Sequence, residues 1–282
     1  MSFLQKKNKE KHLFYQMQGF MTDTYLDLAG ELLDMKNFKL PSITFSLSEM
    51  IALEIPERLR LGNRMEYFFS YIIENTERYN LIMKNTQVFH AKQTLGELDF
   101  ILFDTQADRY IHIELGGKIY LYDPQIEPEL AKWIGPNRRD SLVKKINKLR
   151  EKQFPLLYKE ATQAVLRNAQ INSLEIEQQI CLKTRLFVPK SLRDSIFYGV
   201  QNNNIVGYYI PLSDFSVADY SSYEYYLPNK QDWLVNPKYG EIWYSYKEII
   251  PMIQMALEQK MSPLVWVKKT STDFESFFIV WW

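Results

Sequence analysis

Two apolar runs, each containing an acid, form the most restrictive pattern in this chain. Residues 98–104 and 109–120 are rich in Ile, Leu, Phe and Tyr, and a polar break of hairpin length separates them. The pattern predicts two neighbouring antiparallel strands. Asp99 lies in the first run and Glu114 in the second. Because charges in such runs are rarely buried without a partner, both acids are candidate functional residues.

Side chains alternate between the two faces of a strand, so the second run can be divided into faces. One face carries His112, Glu114, Gly116 and Lys118. Asp99 is expected to meet Glu114 across the strand pair. Two carboxylates in contact repel each other, and a divalent cation between them keeps both charged. From the residues alone, a metal site and a structural ion pair both remain open.

Four boxes occur in order along the chain and are followed by Gln153. They are RLGNRME at 60–66, GELDF at 96–100, the segment 114–121, and WIGPNRRD at 133–140. Residues 61–153 resemble the core of the PD-(D/E)XK nuclease superfamily, in which Glu66, Asp99, Glu114 and Lys118 match the magnesium-site pattern. More narrowly, the chain resembles a bacterial family of proteins of unknown function assigned to that superfamily.

The resemblance implies an α/β fold of the restriction-endonuclease type, with a central mixed sheet flanked by helices. It implies that Asp99 and Glu114 bind Mg²⁺ or Mn²⁺. Lys118 would stabilise charge, while Glu66 and Gln153 would shape the pocket. The implied activity is hydrolysis of phosphodiester bonds in nucleic acid. The alternative is a nuclease-like fold without catalysis that serves as a binding or assembly protein.

The position of the lysine departs from the superfamily pattern. One residue separates the glutamate from the lysine in that pattern, whereas three residues separate Glu114 from Lys118. A straight strand would place their backbones roughly 13 Å apart. Gly116 and Gly117 favour a bulge between them, since glycines inside strands often mark such irregularities. We therefore expect a bend that brings the Lys118 ammonium within reach of both acids.

Two helices are predicted beside the strands. The first covers residues 56–79, with Glu66 at the edge of an apolar stripe. The second begins after Asn137, which is a good N-cap residue. Its core stripe ends at Gln153, where an apolar residue would be expected. The amide of Gln153 would therefore either fill a buried polar site or reach toward the metal pocket.

The second helix is strongly basic. Residues 137–153 contain seven Lys or Arg and only two acids. A solvated surface is the ordinary explanation, but a positive stripe beside a metal site also suits a phosphate backbone. The candidate nucleic-acid contacts are Arg138, Arg139, Lys144 and Lys145.

Composition limits the other function classes. The 282 residues include 34 basic and 34 acidic side chains, so the formal charge is zero and general coating of nucleic acid is disfavoured. The single cysteine, Cys181, excludes an internal disulfide. The chain shows no signal-peptide pattern and no apolar run of membrane-spanning length, so a cytoplasmic protein without membrane partners is expected.

The order of patterns predicts three regions. Residues 1–54 form an N-terminal helical segment with a helix at 15–33, and residues 55–190 form the nuclease-like core. In that core, the apolar run 180–188 would return to the sheet through a helical crossover. Residues 191–282 form an aromatic-rich α+β extension packed on the core. Its aromatics favour core or partner contact over base stacking, and Trp281 and Trp282 are expected to dock on the body or on a second subunit, as in a homo-oligomer.

Overall fold

A computed structural model describes residues 3–26, 35–197 and 199–282 of the chain. The helices are α1 (Phe3–Thr22), α2 (Leu47–Ala52), α3 (Leu61–Glu74), α4 (Leu142–Lys148), α5 (Phe154–Leu156), α6 (Glu160–Asn168), α7 (Val217–Tyr220) and α8 (Tyr246–Glu258). The strands are β1 (Lys36–Asn37), β2 (Tyr79–His90), β3 (Gln93–Asp104), β4 (Arg109–Tyr122), β5 (Trp133–Ile134), β6 (Ile176–Pro189), β7 (Ile205–Pro211), β8 (Glu224–Tyr226), β9 (Tyr244–Ser245), β10 (Leu264–Lys268) and β11 (Phe274–Val280).

One large mixed sheet organises the molecule. Its strand order is β2-β3-β4-β6-β7-β11-β10-β8-β9, with β1 beside β6 and β5 beside β4. Strands β2 to β4 pair antiparallel, and β4, β6, β7 and β11 pair parallel. Helices cover the sheet, so the predicted α/β architecture with a large mixed sheet is confirmed. Within the described ranges, no helix has both the length and the apolarity to cross a membrane.

The predicted strand pair is the hairpin β3-β4. The carboxylate of Asp104 accepts hydrogen bonds from the backbone N–H groups of Gln106 and Ala107, at 3.1 and 3.2 Å, and so closes the polar turn. The Arg78 guanidinium holds the same carboxylate at 2.7 Å. Local hydrogen bonding of this kind fixes the register of the two strands.

Strand β4 separates two apolar clusters by the alternation of its side chains. Ile111 and Ile113 pack with residues of α1 and α3 on one face. Tyr120 and Tyr122 pack with residues of α4 on the other. His112 and Glu114 of β4 are therefore buried beneath a helical layer.

A parallel crossover connects β4 to β6. The pairing runs without interruption from Tyr110↔Ile176 to Leu121↔Phe187. Parallel strands need a long connection, and here it contains α4, α5 and α6. The predicted return of the 180–188 run through a helical crossover is confirmed.

The N-terminal helix begins and ends earlier than residues 15–33. It ends at Thr22, and Tyr25 then forms a bridge with Lys183 of β6. The Leu26 N–H donates to the carbonyl of Leu182 at 2.8 Å. Pairing with the sheet satisfies these backbone groups, so the helix does not continue to Leu26. The remainder of the predicted helix, residues 27–33, lies outside the described residues.

The two helices flanking the hairpin are also shorter than predicted. α3 starts at Leu61 because the preceding loop is held open by Arg64, whose guanidinium binds the carbonyls of Pro56 and Glu57 at 3.2 and 2.7 Å. After α3, the chain turns into β2 at Tyr79, a strand that the sequence pattern did not suggest.

The second flanking helix, α4, is capped by Ser141, whose hydroxyl accepts from the Lys144 N–H. The predicted cap, Asn137, instead accepts from the Ser262 N–H at 3.0 Å. The partner of Asn137 lies 125 residues away, which local sequence cannot reveal.

The C-terminal aromatics are largely core residues. Buried members of this group include Tyr208, Tyr209, Phe215, Tyr220, Tyr225 and Trp233. Strands β7 and β11 continue the sheet beyond β6, so these aromatics fill the two faces of the same sheet. Trp282 docks on the body, where its ring meets Tyr209 and the guanidinium of Arg138. The predicted core role of these aromatics is confirmed.

A close approach at Gly19 generates a stability prediction. A Cβ on this residue of α1 would lie 2.2 Å from the backbone oxygen of Leu234. Replacing a helical Gly with Ala normally stabilises a helix by roughly 0.5–1 kcal/mol. Here we expect Gly19→Ala to reduce the free energy of unfolding by about 1–3 kcal/mol, because two segments must move apart. Denaturant titration measures this change.

Gly62 supplies the matched control, since nothing lies within 4 Å of the position that a Cβ on this residue of α3 would occupy. Gly62→Ala should leave stability unchanged or raise it slightly. Equal effects of the two substitutions would contradict the close packing of α1 against Leu234.

Candidate functional site

The acids of the hairpin meet where its two strands separate. Backbone pairing between β3 and β4 ends at Phe100↔Ile113. The next donor on β4, the Leu115 N–H, binds the carboxylate of Asp99 at 2.9 Å. Asp99 is also in hydrogen-bond contact with Glu114. The structure therefore brings the two predicted acids together.

Gln153 contacts this acid pair from the crossover. Its amide donates a short hydrogen bond to Oε2 of Glu114. Residues Leu149–Gln153 form a π-helical turn between α4 and α5. Single π turns change the direction of the side chains that follow them and are frequent at functional sites. The turn thus places the glutamine, at the end of an apolar stripe, against the fully buried Glu114.

The cation beside the acids is Lys145 of α4. Its ammonium donates to Oε1 of Gln153 at 3.2 Å. It also lies 3.7 Å from the position that a Cβ on Gly116 would occupy. Gly116 follows Glu114 at the position where the superfamily pattern has its lysine. The helix therefore delivers an ammonium group to space that the strand leaves open.

His112 forms the floor of the site. It is fully buried, and its Nδ1 lies 3.0 Å from Nε2 of Gln178, which also donates to the carbonyl of Phe154. Because that carbonyl identifies the amide nitrogen, Nδ1 is the acceptor and the proton lies on Nε2. Nε2 is 3.2 Å from Oε1 of Glu114, but the two atoms are not aligned for a hydrogen bond.

Glu66 of α3 approaches the acid pair from the edge. Its carboxylate accepts from the side-chain amide of Asn85 at 2.7 Å. Asn85 has φ of 46°, the left-handed conformation that asparagine tolerates better than most residues. Burial raises the pKa of Glu66, and the charge of Asp99 raises it further, so the two carboxyls interact electrostatically. The partner of Glu66 came from β2, which the sequence pattern did not predict.

Burial dominates the electrostatics of the site. Desolvation, and then the Glu114 charge, raise the pKa of Asp99 to about 7. Burial also raises the pKa of Glu114, against the attraction of Lys145. It lowers the pKa of His112 to about 4, so the imidazole is neutral at pH 7. The pKa of Lys145 is lowered by burial, and the two acids oppose that change. The carboxyls thus hold protons that a cation would displace.

Lys118 lies elsewhere, and the predicted bend is absent. β4 pairs with β6 through Gly116 and Gly117 without a register shift. Gly117 leaves room for the Met65 side chain, since a Cβ there would overlap its thioether. The Lys118 ammonium pairs with Asp140 at 2.5 Å. Its expected approach to the acids is therefore wrong, and Lys145 supplies the cation.

The predicted nucleic-acid contacts fall into different environments. Arg138 pairs with Asp123 at 2.7 Å and stacks on Trp282. Lys144 is exposed on α4, whereas Lys145 points to the acid pair. Arg139 lines a large cleft at the N-terminal end of α3. The four side chains therefore do not form one positive stripe.

The site offers only a few protein ligands to a hard cation such as Mg²⁺. Among the residues that the structure describes, no group of three or more His, Cys, Asp or Glu side chains is arranged to hold a metal ion. Two contacting carboxylates are present, however, and Oε1 of Glu114 is buried without a hydrogen-bond partner. Mg²⁺ is commonly held by one or two carboxylates together with waters and phosphate oxygens. Asp99 and Glu114 fit that form of site.

A family model matches residues 33–276 and bears the description "Domain of unknown function (DUF1853)". The chain belongs to this family. No curated protein and no solved structure matches the chain. The acid pair, Lys145 and Gln153 all lie within the part that defines the DUF1853 family.

Two contributions to the DUF1853 site were missed from the sequence. Lys145 is one of several lysines in a basic segment, and only the close approach to Gly116 distinguishes it. Asn85 lies in an unpredicted strand. Gly116 was the one local signal for the approach of Lys145, because a glycine inside a strand often marks close approach by another group.

The raised pKa of Asp99 predicts that this carboxylate destabilises the native protein. At pH 8 without divalent ions, Asp99→Asn should raise Tm by a few degrees, as about 1 kcal/mol shifts Tm by about 2–4 °C in domains of about 150–250 residues. The asparagine retains an acceptor for the Leu115 N–H. Because the folded-state pKa lies above 3.8, the contribution of Asp99 to stability falls as pH rises from about 4 to about 7, and the difference between the two proteins grows over that window.

Asp104 is the matched control on the same strand. Its pKa is lowered, chiefly by the hydrogen bond from Arg78, so its charge stabilises the folded state. Asp104→Asn should therefore lower Tm at pH 8, and the loss should shrink as pH falls through the acid range. Calorimetric melts of both variants measure the two opposite signs. A lower Tm for Asp99→Asn at pH 8 would contradict the electrostatic account.

Proposed function

We propose that this protein is a metal-dependent phosphodiesterase of nuclease type, with a restriction-endonuclease-like core. The observation that carries this proposal is the contact of the fully buried Glu114 carboxyl with the partly exposed Asp99 carboxyl, beneath Lys145 and Gln153. Each of these groups is desolvated, and burying them together has no evident packing benefit. Perturbed acids with a neighbouring cation are typical of functional sites.

The residues have distinct proposed roles. Asp99 and Glu114 would hold a divalent cation, Mg²⁺ or Mn²⁺, which would supply Lewis acidity toward phosphate and lower the pKa of a bound water. Lys145 neutralises charge that develops on the phosphate. Gln153 orients Glu114 through its amide. The Nε2 atom of His112 lies 3.2 Å from Oε1 of Glu114 and closes the inner side of the site.

The site is exposed to solvent on one side only, and this supports the approach of a phosphate substrate from that side. Glu114 has no exposed surface, whereas Asp99, Glu66 and Lys145 are each partly exposed. A substrate oxygen therefore meets Asp99 and Lys145 first. Glu66, held by Asn85, contributes negative charge at this entrance and would favour cation capture over phosphate binding in the absence of metal.

A second candidate is a nuclease-like fold that binds a partner without catalysis. It is favoured by the full burial of Glu114 and by the pairing of Lys118 with Asp140, which leaves the strand without the lysine of the superfamily pattern. The two candidates differ in whether the acid pair binds a divalent ion.

Metal binding is the first test. Calorimetric titration at pH 8 should show Mn²⁺ or Mg²⁺ binding to the wild type, with heat lost in Asp99→Ala and in Glu114→Ala. A rise in Tm with metal should accompany it, since ligands that bind only the folded state stabilise it. Asp108→Ala, at the exposed hairpin turn, is the control. If the wild type and both acid variants bind the divalent ion equally, the acid pair is not the metal site. The noncatalytic candidate would then be favoured.

A cleavage assay tests whether Lys145 or Lys118 has the proposed charge-stabilising role. With Mn²⁺ and a mixture of labelled single-stranded and duplex oligonucleotides, Lys145→Ala should lower the cleavage rate about 10²–10³-fold, the usual effect of removing one charge-stabilising donor. Lys144→Ala, its exposed neighbour on α4, should cleave at the wild-type rate. Gel analysis of the products measures both. Retained activity in Lys145→Ala, with activity lost in Lys118→Ala, would reverse the assignment.

A further inference from the structure

A cleft of about 910 Å³ opens beside the N-terminal end of α3. Its walls carry five basic side chains and two acidic ones, in a protein with no net charge. One of the acids, Asp140, is paired with Lys118. The cleft is therefore a local region of positive charge, which the zero net charge of the whole chain does not reveal.

Three cations converge on the cleft from distant segments. Arg60 immediately precedes α3, Arg139 lies between β5 and α4, and Lys230 begins a single helical turn, Lys230–Asp232. Burial lowers the pKa of Lys230, and repulsion by Arg139 and then by Arg60 lowers it further. Across the described ranges, none of the three has a carboxylate at ion-pair distance. Like charges brought together without a carboxylate partner attract anions to the cleft.

Hydrogen bonds between separate segments hold the walls of the cleft together. The Gln231 amide donates to the carbonyls of Glu57 and Leu59, at 2.5 and 2.8 Å. Arg64 binds the same loop and also donates to Gln16 at 3.0 Å. The donors of these contacts are Gln231 and Arg64, so Arg60, Arg139 and Lys230 are not used in them. A preformed arrangement of charge reduces the entropic cost of binding.

The position of the cleft connects it to the acid pair. Gly117 and Lys118 line it, and they follow Glu114 on β4 by three and four residues. The cleft therefore begins roughly 10 Å from the acids along the strand. Its volume lies near the top of the range of about 300–1,000 Å³ for ligand pockets, which suits a few nucleotides and not an enclosed duplex.

An aromatic side chain lies on the same wall. Trp233 lines the cleft beneath the ammonium of Lys230, 5.5 Å from the ring centroid, and its Nε1 has no acceptor in the described parts of the chain. Because Trp233 is buried in the apolar core, it forms the floor of the cleft, and the positive side chains above it match the charge of a nucleic-acid backbone.

We propose that this cleft binds the phosphates of single-stranded nucleic acid through Arg60, Arg139 and Lys230, and guides the strand to the acid pair. The last clause rests on the proposed nuclease function, whereas strand binding in the cleft does not. The cleft replaces the basic stripe of α4 as the nucleic-acid surface.

Fluorescence anisotropy with a labelled single-stranded 12-mer, in EDTA so that no cleavage occurs, tests the proposal. The triple variant Arg60→Ala, Arg139→Ala, Lys230→Ala should weaken binding at least about tenfold and reduce the slope of log affinity against log salt by about 2, at roughly 0.7 per phosphate. Its Tm should not fall, because the substitutions remove mutual repulsion. The control triple Lys144→Ala, Lys152→Ala, Lys159→Ala removes the same charge from exposed positions and should leave the affinity and slope close to those of the wild type.

Four outcomes would overturn the proposal: no binding of the 12-mer by the wild type, equal losses in the two triple variants, a duplex that binds more tightly and ignores the cleft substitutions, or binding of inorganic phosphate alone. Failure of the nuclease function gives a different pattern. In that case, cleft-dependent strand binding persists, but no divalent ion produces cleavage that depends on Asp99 and Glu114.

Discussion

The parallel pairing of β4 with β6 dictates how the other elements are arranged around the site. Two parallel neighbours cannot be joined by a tight turn, so the chain must cross one face of the sheet between them. That crossover contains α4 and the π turn Leu149–Gln153, and it lies over the face of β4 that carries Glu114. Lys145 and Gln153 reach the acid pair for this reason. The same crossover separates Glu114 from solvent and leaves Asp99 at the partly exposed edge of the site.

The acid pair opposes folding, and the surrounding fold must offset it. Asp99 and Glu114 are both desolvated, which favours the neutral form of each, and the charge of Glu114 raises the pKa of Asp99 further. A core made only for stability would place apolar side chains here. The nearby apolar layers, with Phe100, Ile111 and Ile113 fully or almost fully buried, provide the compensating burial. Such local conflict between burial and charge is expected where a chain is selected for a task other than stability.

Charge is segregated in this protein despite its neutral composition. Basic side chains that a helical periodicity would place on one stripe are distributed among an ion pair with Asp123, the acid site, open solvent and the cleft. The cleft cations come from segments before α3, before α4 and within the C-terminal region. The C-terminal aromatics, which mainly fill the sheet faces, contribute Trp233 to the same cleft. Strand continuity from β6 through β7 and β11 makes this convergence possible.

Local sequence was enough to predict the hairpin, the contact between Asp99 and Glu114, the crossover to β6 and the buried character of most C-terminal aromatics. These features follow from alternation, turn chemistry and apolar content, which act over a few residues. It was not enough to predict which lysine meets the acids, where α1, α3 and α4 begin or end, or that β2 exists. Lys118 was assigned from spacing along one strand, but its partner Asp140 and its replacement Lys145 come from the crossover. Asn137 was assigned as a cap, but its partner Ser262 lies in another region. Each of these points was settled by the packed fold, because each depends on side chains that are distant in the chain and are brought together by the order of strands in the sheet.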